Sequence, residues 1–454
     1  MAAMKTVPIT ALRDHLSGEV IGPSDSGYDD ARQLFAGNFD KRPSAIVRPV
    51  DAEEVSRLVK LAAGSELAVR SGGHSSAGHS GSDGGIVLDL SAMKALDIDV
   101  KGRTAWAETG LTAGEYSVTA AEHQLATGFG DTGSVGIGGL TLGGGIGYLV
   151  RKHGLTIDDL LAADIVTADG ELLRVDDRTH PDLFWAIRGG GGNFGVATRF
   201  RFRLHEVGTV YGGILMLPAT VDTITGFLSE AEAAPEELST IANVMKAPPM
   251  PFIPEELHGS LAIFALMVHS EGGDAGERAV APFRALAEPL ADMLKPMPYP
   301  EIYMPQEEEY HPIAVGKTRF TDELGEEEIT TILDRVESST AMMAVAQIRA
   351  LGGAMARVPD DATAFAHRRS RFMVTVANVY ERVEDTPTHQ AWVDDLAGAL
   401  GLNGRGAYVN FLGEEGDEGV RAAYPDASWV RLRSVKRQYD PDNLFRLNQN
   451  IPPA

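Results

Sequence analysis

The chain contains no cysteine among its 454 residues. Disulfide bonds, thiolate metal sites, iron–sulfur clusters and cysteine nucleophiles are therefore excluded. It also has no apolar run of the roughly 18–20 residues that a membrane-spanning helix needs. Residues 1–20 carry no apolar core of signal-peptide length. From the sequence we expect a soluble cytoplasmic protein without a membrane partner.

Basic residues are scarce, with 40 Lys and Arg against 64 Asp and Glu and a net charge of −24. Such a field repels nucleic acid, which we therefore do not expect as a partner. No Walker A sequence is present, and His79, Asp83 and Asp89 follow no metal-ligand spacing. We expect no metal site. The sequence makes no prediction of the oligomeric state.

Glycine, by contrast, is concentrated in three stretches of the N-terminal half. The first glycine loop is VRSGGHSSAGHS (69–80), the second is GDTGSVGIGGLTLGGGIGYL (130–149) and the third is RGGGGNFGV (188–196). Glycine-rich backbone costs entropy to order and makes a weak core, so these loops predict bare main chain laid against a large, flat, polar cofactor. Their Ser and Thr hydroxyls suit phosphate oxygens. The structural alternative is three tight turns between short strands.

The third loop matches the dinucleotide fingerprint at Gly190, Gly192 and Gly195. That motif needs a strand before it and a helix after it. Here the predicted order is reversed: a helix with Pro181 in its first turn precedes the loop, and the alternating segment VATRFRFRL (196–204) follows as a strand. A nicotinamide-dependent Rossmann enzyme is therefore disfavoured.

The pattern of elements predicts an α+β fold. Residues 44–100 read as strand, helix, strand, with Asp51 as the helix N-cap and Gly64 at its end. Beyond residue 206 the pattern predicts an antiparallel sheet covered by helices. The predicted strands lie near 209–217, 260–269, 342–349 and 371–380, and the predicted helices near 221–234, 274–289, 325–338 and 387–400.

At these motifs the sequence resembles the FAD-linked oxidases of the vanillyl-alcohol oxidase superfamily, in particular the berberine-bridge-enzyme-like branch and its bacterial members. VRSGGHS resembles the flavin-attachment loop, and SVGIGGLTLGGGIG the loop beside the flavin ring. YVNF (408–411) and VKRQYDPDNLFRLNQNIPP resemble the C-terminal signature. The resemblance implies a two-lobed PCMH-type FAD-binding domain over 1–206 (core 40–206), a substrate domain over 207–405 and a C-terminal segment, 406–454, that returns to the first domain.

The resemblance also implies roles for individual residues. His74 would attach FAD covalently, and Tyr408 would act as the base, with His367 and Arg368 as helpers. A free phenol has a pKa near ~10, so this role requires a lowered pKa. Alternatively Tyr408 only shapes the pocket, and an amine that arrives neutral needs no base. The residues implied around the cofactor are Arg70, Ser71, Gly72, Gly73, His74, Ser75, His79, Gly130, Asp131, Thr132, Ser134, Val135, Gly138, Gly139, Gly145, Gly192, Gly195, Val196, Asn410, Asn448 and Asn450.

The chain departs from the family pattern at several positions. Many members attach the flavin a second time through a cysteine, and Thr132 stands at that position here. The resemblance therefore implies a single link, through His74. Leu140 and Ile146 replace a histidine and an aromatic residue, which indicates a less polar pocket. Val135 stands at the oxygen-access position, where a valine leaves room for dioxygen.

Together these features predict an FAD-dependent oxidase. It would remove hydride from a C–H bond next to an alcohol or amine of a small apolar or aromatic metabolite, and O2 would become H2O2. A flavin dehydrogenase with another electron acceptor, a carbohydrate oxidase and a flavin-free ligand-binding protein remain open. No motif in 206–400 names the substrate.

Overall fold

The computed structural model describes residues 7–251, 253–304 and 310–454. Its strands, numbered along the chain, are β1 (Glu19–Ile21), β2 (Ala45–Arg48), β3 (Leu67–Arg70), β4 (Ile86–Asp89), β5 (Leu96–Asp99), β6 (Thr104–Glu108), β7 (Leu125–Ala126), β8 (Leu160–Val166), β9 (Leu172–Val175), β10 (Val196–Arg203), β11 (His205–Glu206), β12 (Thr209–Pro218), β13 (Leu238–Lys246), β14 (Leu261–His269), β15 (Ala291–Asp292), β16 (Lys295–Pro298), β17 (Ile313–Thr321), β18 (Met343–Ala350) and β19 (Phe372–Tyr380).

The helices are α1 (Ile9–His15), α2 (Tyr28–Ala31), α3 (Ala52–Leu61), α4 (Ala113–Ala121), α5 (Ile137–Gly143), α6 (Val150–His153), α7 (Pro181–Ala186), α8 (Val221–Ala233), α9 (Gly273–Arg284), α10 (Glu326–Ser338), α11 (Ala354–Arg357), α12 (Thr386–Ala399), α13 (Gly416–Ala423) and α14 (Asp426–Tyr439). The mixture of helices and separate sheets confirms the predicted α+β class.

Two sheets build the N-terminal part of the molecule. The order β1-β2-β4-β3 forms a four-stranded sheet, in which β4 runs parallel to both β2 and β3. The order β5-β6-β10-β8-β9 forms a five-stranded antiparallel sheet. The first glycine loop begins at the end of β3, and the third enters β10. Both loops therefore start or end on fixed strands.

Helix α3 packs on these sheets, and its local sequence sets where it begins. The Asp51 side chain accepts the Glu54 N–H at 2.8 Å, which confirms the predicted N-cap. One face of the helix, with Val55, Leu58 and Val59, is fully buried in an apolar core to which both sheets contribute. The order at the third loop is also as predicted: α7 begins at Pro181, and β10 follows the loop.

A large antiparallel sheet occupies residues 209–380. Its strand order is β15-β12-β14-β13-β18-β19-β17, with β16 pairing with β12. The four predicted strands and the four predicted helices are present, and α8, α9, α10 and α12 pack on the sheet through one apolar core. Strands β13, β15, β16 and β17 were not predicted. The boundaries at 206 and 405 stay a prediction.

The end of the chain packs against the third glycine loop. Lys436 on α14 is fully buried, and its ammonium donates to the Asn193 carbonyl at 2.8 Å and to the Asp440 carboxylate at 2.6 Å. The Asn193 side chain in turn accepts the Ile451 N–H at 2.9 Å. These contacts place the C-terminal segment beside the glycine loops. In the described parts of the chain, no helix has both the length and the apolar character that a membrane crossing requires.

Candidate active site

The first and second glycine loops meet backbone to backbone. A Cβ atom on Gly72 would overlap the main chain of Gly136, and a Cβ atom on Gly136 would overlap that of Gly72. Ser71 holds the same contact, because its hydroxyl donates to the Thr109 carbonyl at 2.6 Å and accepts the Gly138 N–H at 3.2 Å. Part of the glycine content therefore serves packing between loops.

A cavity of about 500 Å³ opens beside this contact, within the usual size of ligand sites. Its walls come from the three glycine loops, strand β18 and the C-terminal segment. Most of the residues that the resemblance implies line it: Ser71, Gly72, Gly73, His74, Ser75, His79, Gly130, Asp131, Thr132, Val135, Gly138, Gly139, Gly192, Gly195, Val196, Tyr408, Asn410 and Asn448.

Some glycines of this wall face open space. At Gly139 and Gly192 no atom beyond the local chain lies within 4 Å of the place that a Cβ would occupy. At Gly73 the nearest is the Cδ atom of Arg70, at 3.9 Å. Unlike Gly72 and Gly136, these glycines offer bare main chain to a ligand. Such a surface fits a large planar cofactor.

His74 lies in the cavity wall in a defined orientation. Its ring stacks on Phe35 with centroids 4.0 Å apart, and its Nε2 atom lies 3.1 Å from the Ser134 hydroxyl. Burial lowers the pKa of His74 to about 4, so the imidazole is neutral at physiological pH. A neutral, oriented imidazole is the form that acts as a nucleophile.

Two half-buried asparagines near the C-terminus each have a buried side-chain oxygen that accepts no hydrogen bond from a described residue. The Asn448 amide donates to the Phe445 carbonyl at 3.0 Å, while its Oδ1 atom has no donor among the described residues. The Oδ1 atom of Asn450 is in the same situation, although Asn450 does not line the cavity. Buried acceptors are normally satisfied, so the Asn448 oxygen fits a ligand that brings an N–H or O–H group.

Tyr408 and Asn410 form a hydrogen-bonded unit with the second glycine loop. The Tyr408 hydroxyl accepts the Gly145 N–H at 2.8 Å and an Asn410 amide hydrogen at 3.0 Å. Asn410 also donates to the Leu140 carbonyl at 2.9 Å, and a Cβ atom on Gly143 would collide with its side chain. Burial raises the pKa of Tyr408 despite these two donors. The lowered pKa that a base at this position requires is therefore not supplied by the protein's own groups.

Six implied residues do not line the cavity: Arg70, Ser134, Gly145, His367, Arg368 and Asn450. Arg70 supports the first loop from behind, donating to the carbonyls of Ser80 at 3.1 Å and Ala31 at 2.6 Å. Ser134 contacts His74, and Gly145 contacts Tyr408. The residues that support the cavity wall from behind are therefore Arg70, Ser134 and Gly145.

His367 and Arg368 are engaged elsewhere. The His367 ring stacks on Phe320 with centroids 4.9 Å apart, and its Nε2 atom lies 3.2 Å from the Ala422 carbonyl. Arg368 is fully buried and makes two hydrogen bonds to the Asp158 carboxylate, at 2.7 and 2.9 Å. We therefore leave both residues out of the proposed chemistry.

Sequence reasoning missed the polar residues of the opposite wall. Gln347 and Arg349 line the cavity from β18, and Arg349 forms an ion pair with Asp131 of the second glycine loop. The signal was present, because residues two apart on a strand share one face, and this strand carries its polar side chains at 347 and 349. Nothing local in the sequence indicated that this face meets the glycine loops.

Comparisons with known proteins agree with this geometry. Residues 43–176 match the FAD binding domain family model, and residues 407–452 match the berberine and berberine-like model. The chain is 32% identical to (R)-6-hydroxynicotine oxidase of Paenarthrobacter nicotinovorans, over 96% of this chain and 97% of that protein. The crystal structure of 6-hydroxy-D-nicotine oxidase from Arthrobacter nicotinovorans superposes with a TM-score of 0.87 at 29% identity, covering 99% of this chain and 100% of that one.

A xylooligosaccharide oxidase from Myceliophthora thermophila C1 has the same fold, with a TM-score of 0.87 over 98% of this chain and 99% of that one, at 24% identity. The domain models and the site together define an FAD-linked oxidoreductase. More narrowly, the chain belongs to the berberine-bridge-enzyme-like family of these enzymes.

Proposed function

We propose that this protein is an oxidase that carries FAD on His74 alone and dehydrogenates a C–H bond next to an amine or alcohol of a small apolar or aromatic molecule, with O2 reduced to H2O2. When bound, FAD supplies the acceptor for the hydride and then passes the electrons to dioxygen. The observation that carries the proposal is the His74 imidazole, which lies in the wall of a glycine-lined cavity between the Phe35 ring and the Ser134 hydroxyl.

His74 is suited to attachment by its protonation state and its support. The Phe35 ring on one side and the Ser134 hydroxyl at Nε2 limit the rotation of the imidazole. Burial keeps the ring unprotonated, so a nitrogen lone pair is available for bond formation. The chain has no cysteine, so a second thioether link is excluded.

The cavity favours an apolar or aromatic substrate over a sugar. Much of the wall away from the glycine backbone is apolar, and its larger apolar members include Leu140, Leu142, Ile146, Val409, Phe411 and Leu412. Sugar recognition calls for many free donors and acceptors. The polar side chains of the opposite wall, Gln347, Arg349 and Asp131, instead pair largely with other groups of the protein. The relative named (R)-6-hydroxynicotine oxidase supports an oxidase of small molecules rather than a carbohydrate oxidase.

The protonated Tyr408 favours an amine that arrives uncharged. Such an amine loses hydride without first giving up a proton, so no base is required. Tyr408 then orients Asn410 and the Gly145 backbone instead of removing a proton. Oxidation of an alcohol is the second candidate, and it would require Tyr408 to lose its proton inside the site.

Val135 supports oxygen as the acceptor of electrons. Its half-buried side chain lines the cavity in the second glycine loop, where a small apolar residue leaves space for dioxygen. In this proposal a quinone or a protein acceptor is not needed.

The proposal is tested on the purified yellow protein with a panel of aromatic and alicyclic amines, alcohols and sugars. Under nitrogen an accepted substrate bleaches the flavin absorbance, and admitting air restores the absorbance rapidly with release of H2O2. Slow reoxidation in air together with fast reduction of a dye identifies a dehydrogenase. Reduction by sugars alone identifies a carbohydrate oxidase, and a colourless protein that takes up no added FAD contradicts the proposal altogether.

A further inference from the structure

The sheet behind the cavity carries a directional chain of hydrogen bonds. The Asn243 amide donates to the Phe264 carbonyl at 3.0 Å, so its oxygen faces the other way. That oxygen accepts from Gln347 Nε2 at 2.8 Å, which turns the Gln347 oxygen towards Arg349. The orientation of both amides is therefore set by the backbone of β14.

Arg349 lies at the end of this series of hydrogen bonds. Its Nε and Nη2 atoms donate to the Gln347 oxygen at 2.9 and 2.7 Å, and Nη2 also pairs with the Asp131 carboxylate. The guanidinium lies over the Phe411 ring, 5.3 Å from its centroid. Three contacts from three different segments hold this side chain in one place.

One hydrogen-bond donor of Arg349, the Nη1 atom, has no acceptor among the described residues. The side chain is 5% exposed, and the Nη1 atom itself is buried. A buried donor without an acceptor is destabilising, so its presence in a cavity wall calls for an acceptor from outside the protein. By contrast, both ends of the Gln347 amide are already in use.

We propose that Arg349 is a specificity-determining residue that donates from Nη1 to an uncharged acceptor, such as a ketone, amide or lactam oxygen, on the substrate. The inference rests on the proposed function, since it describes the substrate of the same cavity. The acceptor is uncharged because Asp131 already neutralises the guanidinium. A carboxylate on the substrate would add a second negative charge beside Asp131.

Three probes of similar shape test this assignment: acetophenone, ethylbenzene and benzoate. Their binding is followed by perturbation of the flavin absorbance and, independently of the flavin, by the shift in melting temperature. We expect the protein to bind acetophenone about tenfold or more tightly than ethylbenzene, since one charge-assisted hydrogen bond separates the two. We expect benzoate to bind more weakly than acetophenone.

The matched variant is the double substitution Arg349→Met with Asp131→Asn, which removes the donor without leaving Asp131 unpaired. We expect its ratio of acetophenone to ethylbenzene affinity, taken from the shifts in melting temperature, to fall to about one. The control is Arg357→Met, which removes an exposed arginine paired with Glu236 and should keep the ratio of the parent protein.

Equal binding of acetophenone and ethylbenzene by the parent protein, or tighter binding of benzoate, overturns the assignment. A double variant that keeps the preference for acetophenone, with or without bound FAD, overturns it too. A colourless parent protein contradicts the proposed function instead, and the melting-temperature series still decides the role of Arg349.

Discussion

The two walls of the cavity present different chemical groups. The wall formed by the glycine loops presents main chain, with open positions at Gly139 and Gly192. The wall formed by β18 and the C-terminal segment presents side chains, including Arg349 and Phe411. The first wall suits a constant cofactor, because backbone approach depends only on the absence of side chains. Substitutions in the second wall can change the chemistry of the cavity while the first wall stays unchanged.

The sharpest test of the first wall compares two glycines of the second loop. We expect Gly136→Ala to lower the free energy of unfolding by about 3 kcal/mol or more, the upper end of overpacking costs, because its Cβ meets the backbone of Gly72. Gly139→Ala has space for its Cβ and gains up to about 1 kcal/mol of helix propensity in α5. Its melting temperature should hold or rise while its flavin content falls, because the methyl group occupies the open position.

Melting temperature and the ratio of flavin to protein absorbance measure both variants. Equal melting temperatures would mean that packing between the loops is not the role of Gly136. Full flavin content in Gly139→Ala would mean that this position does not face the cofactor.

A residue behind the walls should affect stability and not chemistry. Arg368→Met leaves the Asp158 carboxylate without its partner, and we expect a loss of about 3 kcal/mol in the free energy of unfolding. The variant that also carries Asp158→Asn should recover part of this loss. Denaturant unfolding gives the stabilities. A large fall in kcat with unchanged stability would instead show that Arg368 takes part in catalysis.

The contrast between the walls also explains what the sequence could predict. Glycine loops are visible because close backbone contact demands one residue type at neighbouring positions, so 69–80 and 130–149 stand out locally. Gln347 and Arg349 reach the site only through the register of a sheet in which β18 pairs with β19, the next strand along the chain, and with β13, which comes from a distant part of the chain. Strand β13 itself escaped prediction because it is buried on both faces and shows no alternation.

The same reasoning accounts for His367 and Arg368. The His-Arg pair looked functional as a local motif, but its burial against Phe320 and Asp158 is a property of tertiary packing. Tyr408 is the intermediate case: it lines the cavity as the motif predicted, its place beside the flavin ring stays a prediction, and the direction of its pKa shift depends on burial.

The substitution Tyr408→Phe tests whether Tyr408 acts as a general base. Because burial keeps the phenol protonated, we expect kcat/KM for an amine substrate to fall less than tenfold, with an unchanged pH profile. Stability should fall by about 1–3 kcal/mol, since the Gly145 N–H and the Asn410 amide lose their shared acceptor. A loss of 100-fold or more, with a shifted profile, would assign general-base catalysis to Tyr408.

We also expect a pH-dependent effect from His79, which lines the cavity in the first loop. Burial, with the nearby Lys41 charge acting in the same direction, lowers the pKa of His79 from 6.5 to about 4. Its contribution to stability is therefore complete above pH 6.5 and is lost as the pH falls towards 4.

We expect the melting temperature to drop less over this interval in His79→Asn than in the parent protein. His123→Asn, at an exposed position, serves as the control and should follow the parent. Identical curves for all three proteins would show that His79 is not held neutral by its surroundings.

The attachment of FAD to His74 is tested most directly by the intact mass of the purified protein, measured beside that of His74→Ala. We predict a parent protein heavier than its sequence by one FAD less two hydrogens, because the new bond replaces an N–H and a C–H bond, with the yellow colour retained in an acid pellet. His74→Ala should have the mass of its sequence alone and release its flavin into the acid supernatant. A parent protein at its sequence mass, with FAD set free by acid, would contradict the account.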